Sequence, residues 1–182
     1  MLKLADVFDI YDAESQAKVA LARETPGGLI FALRFLLKKQ MLPNEVTVTQ
    51  NDENGPLLFK IKKPLTLLRS QVWVEDASGR RLGYFKSKLF SFGGGFFVYD
   101  PGDQQLAELK GDWKGWNFKF LAGDGKELGL VTKQWGGLAK ELFTSADTYA
   151  VSIHDGPTAT PDMTILMLAA ALAVDIVYKE KG

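Results

Sequence analysis

PDMTILMLAAALAVDIVYKEKG occupies residues 161–182, and from Met163 to Val174 it carries no charged side chain. A helix drawn through this stretch is apolar on every side, which leaves it two homes: the core of a fold or the hydrocarbon of a membrane. Length separates them. Met163 to Val174 rises roughly 18 Å at 1.5 Å per residue, against about 30 Å of bilayer hydrocarbon. Extension to Tyr178 brings in Asp175, which costs about 3 kcal/mol near a membrane centre. The stretch is therefore read as a helix over about residues 162–179 that the rest of the chain encloses, with no transmembrane span. Ala169, Ala170, Ala171 and Ala173 keep it thin enough to be ringed by other elements. Asp175 lies near its C-terminus, where the macrodipole disfavours an anion, so a hydrogen-bonded partner is expected there.

The enclosing material is a repeat. Four loops, NDENG, DASG, DPGD and AGDG, are each followed by a return segment of similar form: PLLFKIK, RRLGYFK, QQLAELK and KELGLVTK. Their lysines, Lys62, Lys86, Lys110 and Lys133, are spaced 24, 24 and 23 residues apart. A fixed spacing in that range marks a repeated supersecondary unit, and turn clusters between alternating apolar runs make that unit a β-hairpin. The leading strands VTVTQ, SQVWVED, GFFVYD and WNFKFLAGDG are rich in the β-branched and aromatic residues that suit a pleated, half-buried surface.

A fifth hairpin opens the chain in FDIYDAESQAKVALARE, with Asp12 to Ser15 as its turn. LAKELFTSAD and TYAVSIHD read as two further strands, which brings the total to twelve. Strand number sets the width of a closed barrel, and eleven strands already admit a central helix. The expected fold is therefore mainly β: a closed twelve-stranded antiparallel barrel of repeated hairpins around the hydrophobic C-terminal helix, in one domain over residues 1–182. PGGLIFALRFLLKKQMLP, with Leu29, Leu33, Leu36 and Leu37 at helical spacing, adds an amphipathic helix near the N-terminus. It reads either as a lid over the end of the β structure or as an interfacial membrane helix with basic residues.

Lys plus Arg and Asp plus Glu both number 22, so no global charge favours nucleic acid, and any lipid contact needs a local patch. There is no cysteine, which removes disulfides, thiolate metal sites and cysteine nucleophiles. Asp6 and Asp9 interrupt the first residues before a signal-peptide core develops. The expected location is cytoplasmic, with peripheral attachment to the inner membrane surface as an option.

GLVTKQWGGLAKELFTSADTYAV followed by MLAAALAVDIVY resembles the C-terminal part of the phospholipid scramblase and LURP-one-related family, through Lys133, Trp135, Gly137, Glu141, Phe143, Thr144, Ala146, Asp147, Tyr149 and Asp175. The hairpin order extends the likeness from about Phe8 to Tyr178. That resemblance implies the tubby C-terminal-like fold, a twelve-stranded barrel around a hydrophobic helix. It also implies calcium-dependent lipid movement, but the segment matching the family's proposed calcium loop, SADTYAVSIHDG, departs from the pattern. Ser145 replaces an expected acidic ligand, the last position is Gly156, and Asp155 comes one residue early. TYAVSIH reads as a strand, whereas calcium wants six to eight convergent oxygens. The Pro-rich extension and acylated cysteines of the animal scramblases are missing too, so neither a metal nor active scrambling is expected.

The tubby-like resemblance further implies binding of acidic phospholipid or phosphoinositide head groups at a basic patch. The candidates are Lys60, Lys62 and Lys63 in one return strand and Arg80, Arg81, Lys86 and Lys88 in the next. Alternation puts Lys60 with Lys62, and Lys86 with Lys88, on one face each. Clustering of these residues would favour lipid recognition, whereas scattering over a solvated exterior would favour a soluble protein-interaction scaffold with no lipid role.

Catalytic chemistry is not visible. The single histidine, His154, follows the last strand with no cysteine to complete a zinc site. FSFGGGFF lacks the Gly-Lys-Ser/Thr of a phosphate cradle and reads as a strand connection. Trp113 and Trp116 beside Lys114 could stack bases, but the neutral chain has no wider basic run. The expected activity is binding, with no cofactor and no catalytic residue.

Overall fold

A computed structural model describes residues 7–12, 14–25, 42–65, 71–87, 95–112, 117–133, 149–154, 156 and 159–178. Eleven strands are found there: β1 (Val7–Tyr11), β2 (Lys18–Thr25), β3 (Asn44–Gln50), β4 (Leu57–Lys63), β5 (Gln71–Asp76), β6 (Arg81–Ser87), β7 (Gly95–Tyr99), β8 (Gln105–Asp112), β9 (Asn117–Ala122), β10 (Glu127–Lys133) and β11 (Tyr149–Ile153). They form an antiparallel sheet whose strand order is the order of the sequence. One helix, α1 (Pro161–Tyr178), follows them. The chain divides into two compact units, Met1–Leu82 and Gly83–Gly182.

All five hairpins expected from the loops are present, and three share one turn. Asp76 N donates to Arg80 O at 3.0 Å, Asp100 N to Gln104 O at 2.9 Å and Ala122 N to Lys126 O at 2.8 Å. The last turn residue of each has positive φ: 86° at Gly79, 67° at Asp103 and 84° at Gly125. This is the three-residue hairpin loop, a turn followed by a left-handed residue. The first loop residue of DASG and DPGD fixes it by a second means. Asp76 Oδ1 accepts from the amides of Ser78 and Arg80, and Asp100 Oδ1 accepts from those of Gly102 and Gln104.

The Asp76 carboxyl is held at about 2, below its ordinary 3.8, first by the Ser78 hydroxyl at 2.6 Å and then by the Arg80 amide and guanidinium. A carboxyl depressed in the folded state contributes stability that is complete above its unfolded value and disappears as pH falls through its folded value. Asp76→Asn should therefore lower the urea midpoint at pH 6, and the gap to the wild type should narrow between pH 4 and pH 2. A gap independent of pH would show that the carboxylate charge plays no part in holding the turn.

Within the first unit Phe8, Ala20, Ala22, Val46, Val48, Phe59, Ile61, Val72 and Val74 are buried on one face of β1–β5. In the second unit Phe85, Phe96, Val98, Leu109, Phe118, Phe120 and Val131 do the same. The α1 helix begins with Thr160, whose Oγ1 accepts from Met163 N at 3.2 Å and whose carbonyl accepts from Thr164 N at 2.9 Å. Pro161 at the first helical position and Asp162 in the first turn complete a favourable start. Leu166, Met167, Ala169, Ala170, Ala171, Ala173 and Val174 are buried, as expected of an enclosed helix. Glycines of the second unit receive it: a Cβ on Gly83 would lie 3.2 Å from Leu166 Cδ2, and one on Gly129 would collide with Met167 Cε. Among the described residues no helix is long and apolar enough to cross a membrane.

The expectation of twelve strands in a closed barrel is met by eleven, whose order runs from β1 to β11 without closing among the described residues. The remaining strand, sought in residues 138–147, lies outside the described residues, as do residues 26–41 of the amphipathic helix expected over 26–43, Lys88, Trp113, Lys114, Trp116, most of the Gly-rich connection and the side chain of Asp175.

Candidate functional site

Register places the site. Across β2, β3, β4 and β5 the pairings Thr25↔Glu45, Glu45↔Lys62 and Lys62↔Trp73 make one continuous row, and Arg23↔Thr47, Thr47↔Lys60 and Lys60↔Glu75 make the row two residues away. Neighbours in a row stand on adjacent strands about 4.8 Å apart. Charges of both signs therefore meet on adjacent strands, and both ion pairs cross from one row to the other. Lys62 Nζ lies 2.7 Å from Glu75 Oε2, and Lys60 Nζ lies 3.3 Å from Glu45 Oε1.

The first row floors a cavity of about 500 Å³ in the first unit. Thr25, Glu45, Lys62 and Trp73 line it together with Asn44, Lys63, Glu75, Arg81 and two prolines, Pro43 and Pro64. Arg81 stacks its guanidinium 4.2 Å above the centre of the Trp73 ring, a contact worth about 1 kcal/mol. Asn44 Nδ2 donates to Glu24 Oε1 at 2.9 Å and holds the rim at the start of β3.

Lys62 is held more firmly protonated than usual, first by its hydrogen bond to Glu75, with desolvation acting against this and Coulombic attraction to Glu75 and Glu45 adding to it. That direction suits an electrostatic anchor and opposes the role of a base or nucleophile, which needs a lysine that loses its proton near neutrality.

The described candidate cations divide among four settings. Lys60, Lys62 and Arg81 gather at the cavity or on the row beside it. Lys63 lies in the cavity wall but has the opposite parity to Lys62, so it shares the buried face with Phe59 and Ile61 and is 3% exposed. Arg80 closes the β5–β6 turn, with Nε 2.9 Å from Asp76 Oδ2.

Lys86 belongs to the second unit. Its ammonium lies 5.5 Å from the ring centre of Tyr99 and 6.0 Å from that of Tyr84, two rings stacked 5.1 Å apart. The Tyr84 hydroxyl donates to Asp103 Oδ1 at 2.6 Å, and this bond, with burial, pushes its ionisation up to about 12. Tyr84 thus remains a proton-bearing brace on the left-handed Asp103.

Glu45, Glu75 and Trp73 were not candidates on sequence, although their strand parity placed them on the same face as Lys60 and Lys62. The signal lay in the turns: the DASG loop sets the register of the hairpin around Asp76, and alternation from Val72 and Val74 points Trp73 and Glu75 outward.

Within the segment matching a calcium loop, Tyr149–Ile153 form strand β11, paired from Lys133↔Tyr149 to Gly129↔Ile153, while residues 145–148 and 155 lie outside the described residues. His154 is exposed at its end, with Nδ1 3.3 Å from the carbonyl of Glu127. Among the described residues no group of three or more His, Asp or Glu could hold a metal ion. A family model with the description Scramblase matches residues 34–181. Neither the curated proteins nor the solved structures gave a match.

Proposed function

The chain belongs to the scramblase family, and from that premise we propose that it is a non-enzymatic module that recognises acidic phospholipid at the surface of a membrane. The observation that supports this is the meeting of Lys62, Lys63 and Arg81 around one cavity, with Lys60 on the adjacent row. Its volume is in the range of small-ligand sites. In this reading the whole chain works as one tubby-like domain, closed as a twelve-stranded barrel about α1 and placed peripherally on the cytoplasmic side of the membrane. The phosphate of a head group shares Lys62 with Glu75 and approaches the guanidinium that Arg81 presents over Trp73.

Each lysine or arginine near an acidic surface contributes about 1 kcal/mol, and the attraction fades within a Debye length, about 10 Å at 0.1 M salt. Co-sedimentation of the full chain with neutral vesicles, and with vesicles containing phosphatidylserine or phosphoinositide, tests the proposal at low and moderate salt. Binding should need acidic lipid and weaken with salt. The triple change Lys60→Ala, Lys62→Ala and Arg81→Ala should weaken it by about two orders of magnitude. Equal sedimentation with neutral and acidic vesicles would count against the proposal. Sedimentation with neither favours a second reading, a protein-interaction scaffold, for which Val7, Tyr11 and Val19 stand exposed on β1 and β2.

A further inference from the structure

The cavity is not simply basic, and its mixed charge narrows the ligand. Building on the lipid reading above, we infer that the site takes a phosphate ester that also carries a primary ammonium while keeping a net negative charge, of the phosphoserine class, in preference to a polyphosphorylated inositol. Two carboxylates, Glu45 and Glu75, line the same cavity as Lys62 and Arg81. A head group with several phosphates brings its added negative charge against those carboxylates, and like charges in a shared site repel. A ligand with one phosphate and one ammonium meets complementary groups in order along the floor. The row Glu45, Lys62, Trp73 steps from anion to cation to the ring that carries Arg81, one strand at a time. The ammonium of the ligand donates to Glu45, and its phosphate accepts from Lys62 and Arg81.

The choice of a primary over a quaternary ammonium rests on the same lining. Recognition of a quaternary ammonium uses several aromatic faces in a cage. Among the described residues Trp73 is the single aromatic that lines this cavity, and the Arg81 guanidinium already covers a face of its ring. The carboxylates offer hydrogen-bond acceptors, which a primary ammonium can use and a quaternary one cannot.

The test is a calorimetric titration of the full chain with phosphoserine, phosphocholine, glycerol phosphate and inositol trisphosphate, beside sedimentation with vesicles that present ethanolamine, serine or phosphoinositide heads. Phosphoserine should bind at least about tenfold more tightly than glycerol phosphate or inositol trisphosphate, the scale of one charge-assisted hydrogen bond. Glu45→Gln should erase that preference and improve binding of inositol trisphosphate. Its fold is checked by thermal melting, and Glu45→Asp, which retracts the carboxylate, gives a second reading of the same preference.

Tighter binding of inositol trisphosphate, or a preference untouched by Glu45→Gln, overturns the inference. Acidic-lipid recognition stands in that case if vesicle binding still depends on Lys62 and Arg81. Binding of soluble phosphoserine without any vesicle binding supports the ligand chemistry, assigns it to a free metabolite and overturns the membrane reading. Binding of no probe overturns both.

Discussion

Ala170→Glu should abolish the folded protein. Ala170 is completely buried in α1, among Leu166, Met167, Ala169, Ala173 and Val174. An ionised carboxylate placed there keeps a penalty of several kcal/mol even after relaxation, comparable with the roughly 5–15 kcal/mol that holds a whole domain together. Protonation avoids the charge but leaves a larger polar group in space filled by a methyl. Ala170→Leu separates size from charge: overpacking should cost about 1–3 kcal/mol and leave a cooperative melt. Circular dichroism and soluble yield distinguish these outcomes. A normal melting temperature for Ala170→Glu would mean that this face of α1 meets water, and the enclosed-helix account would then fail.

Gly129→Val is expected to have the next largest effect, for a different reason. A Cβ at Gly129 meets the methyl of Met167 and the backbone carbonyl of Ser152, the strand neighbour in β11. Met167 can turn aside because its side chain is flexible, but the Ser152 carbonyl moves only with its strand, whose register runs from Gly129↔Ile153 to Lys133↔Tyr149. The expected loss is about 1–3 kcal/mol in urea denaturation, the usual range for forced overpacking. Combining Gly129→Val with Met167→Ala should recover only part of that loss. Full recovery would assign the clash to the helix alone and absolve β11. Gly79→Ala offers a contrast, because no atom lies within 4 Å of a Cβ there. Its cost comes only from the backbone φ of +86°, which alanine adopts at a penalty of about 1–2 kcal/mol.

The hairpins were legible because their information is local. Turn clusters such as DASG and DPGD impose a left-handed residue at a defined place, and the strands between them follow by alternation. The helix was legible because twelve uncharged residues, from Met163 to Val174, are too few to cross a bilayer. The candidate site was only half legible. Lys60, Lys62 and Arg81 could be named from the sequence, but Glu45 reaches them from β3, and that meeting depends on pairing across the NDENG loop, where the register shifts between Val48 and Thr49. A one-residue shift turns a strand over, so the partner of a charge cannot be read until the bulge is known. Lys63 shows the converse. Period-two alternation from Phe59 and Ile61 already assigned it to the buried face, whereas grouping it with Lys62 by sequence adjacency set that rule aside.

The order of the strands also bears on how the chain acquires its structure. Because neighbours in the sheet are neighbours in sequence, pairing needs few long loop closures, and each hairpin can form as soon as its two strands leave the ribosome. The α1 helix is different, since it follows all eleven strands while supplying the methyl and thioether groups that lie against Gly83 and Gly129. Through most of synthesis the places at Gly83 and Gly129 that receive Leu166 and Met167 await this late arrival. The nascent protein is thus a growing sheet with these places uncovered, and a chaperone that shields such surfaces would act between emergence of β10 and docking of the helix.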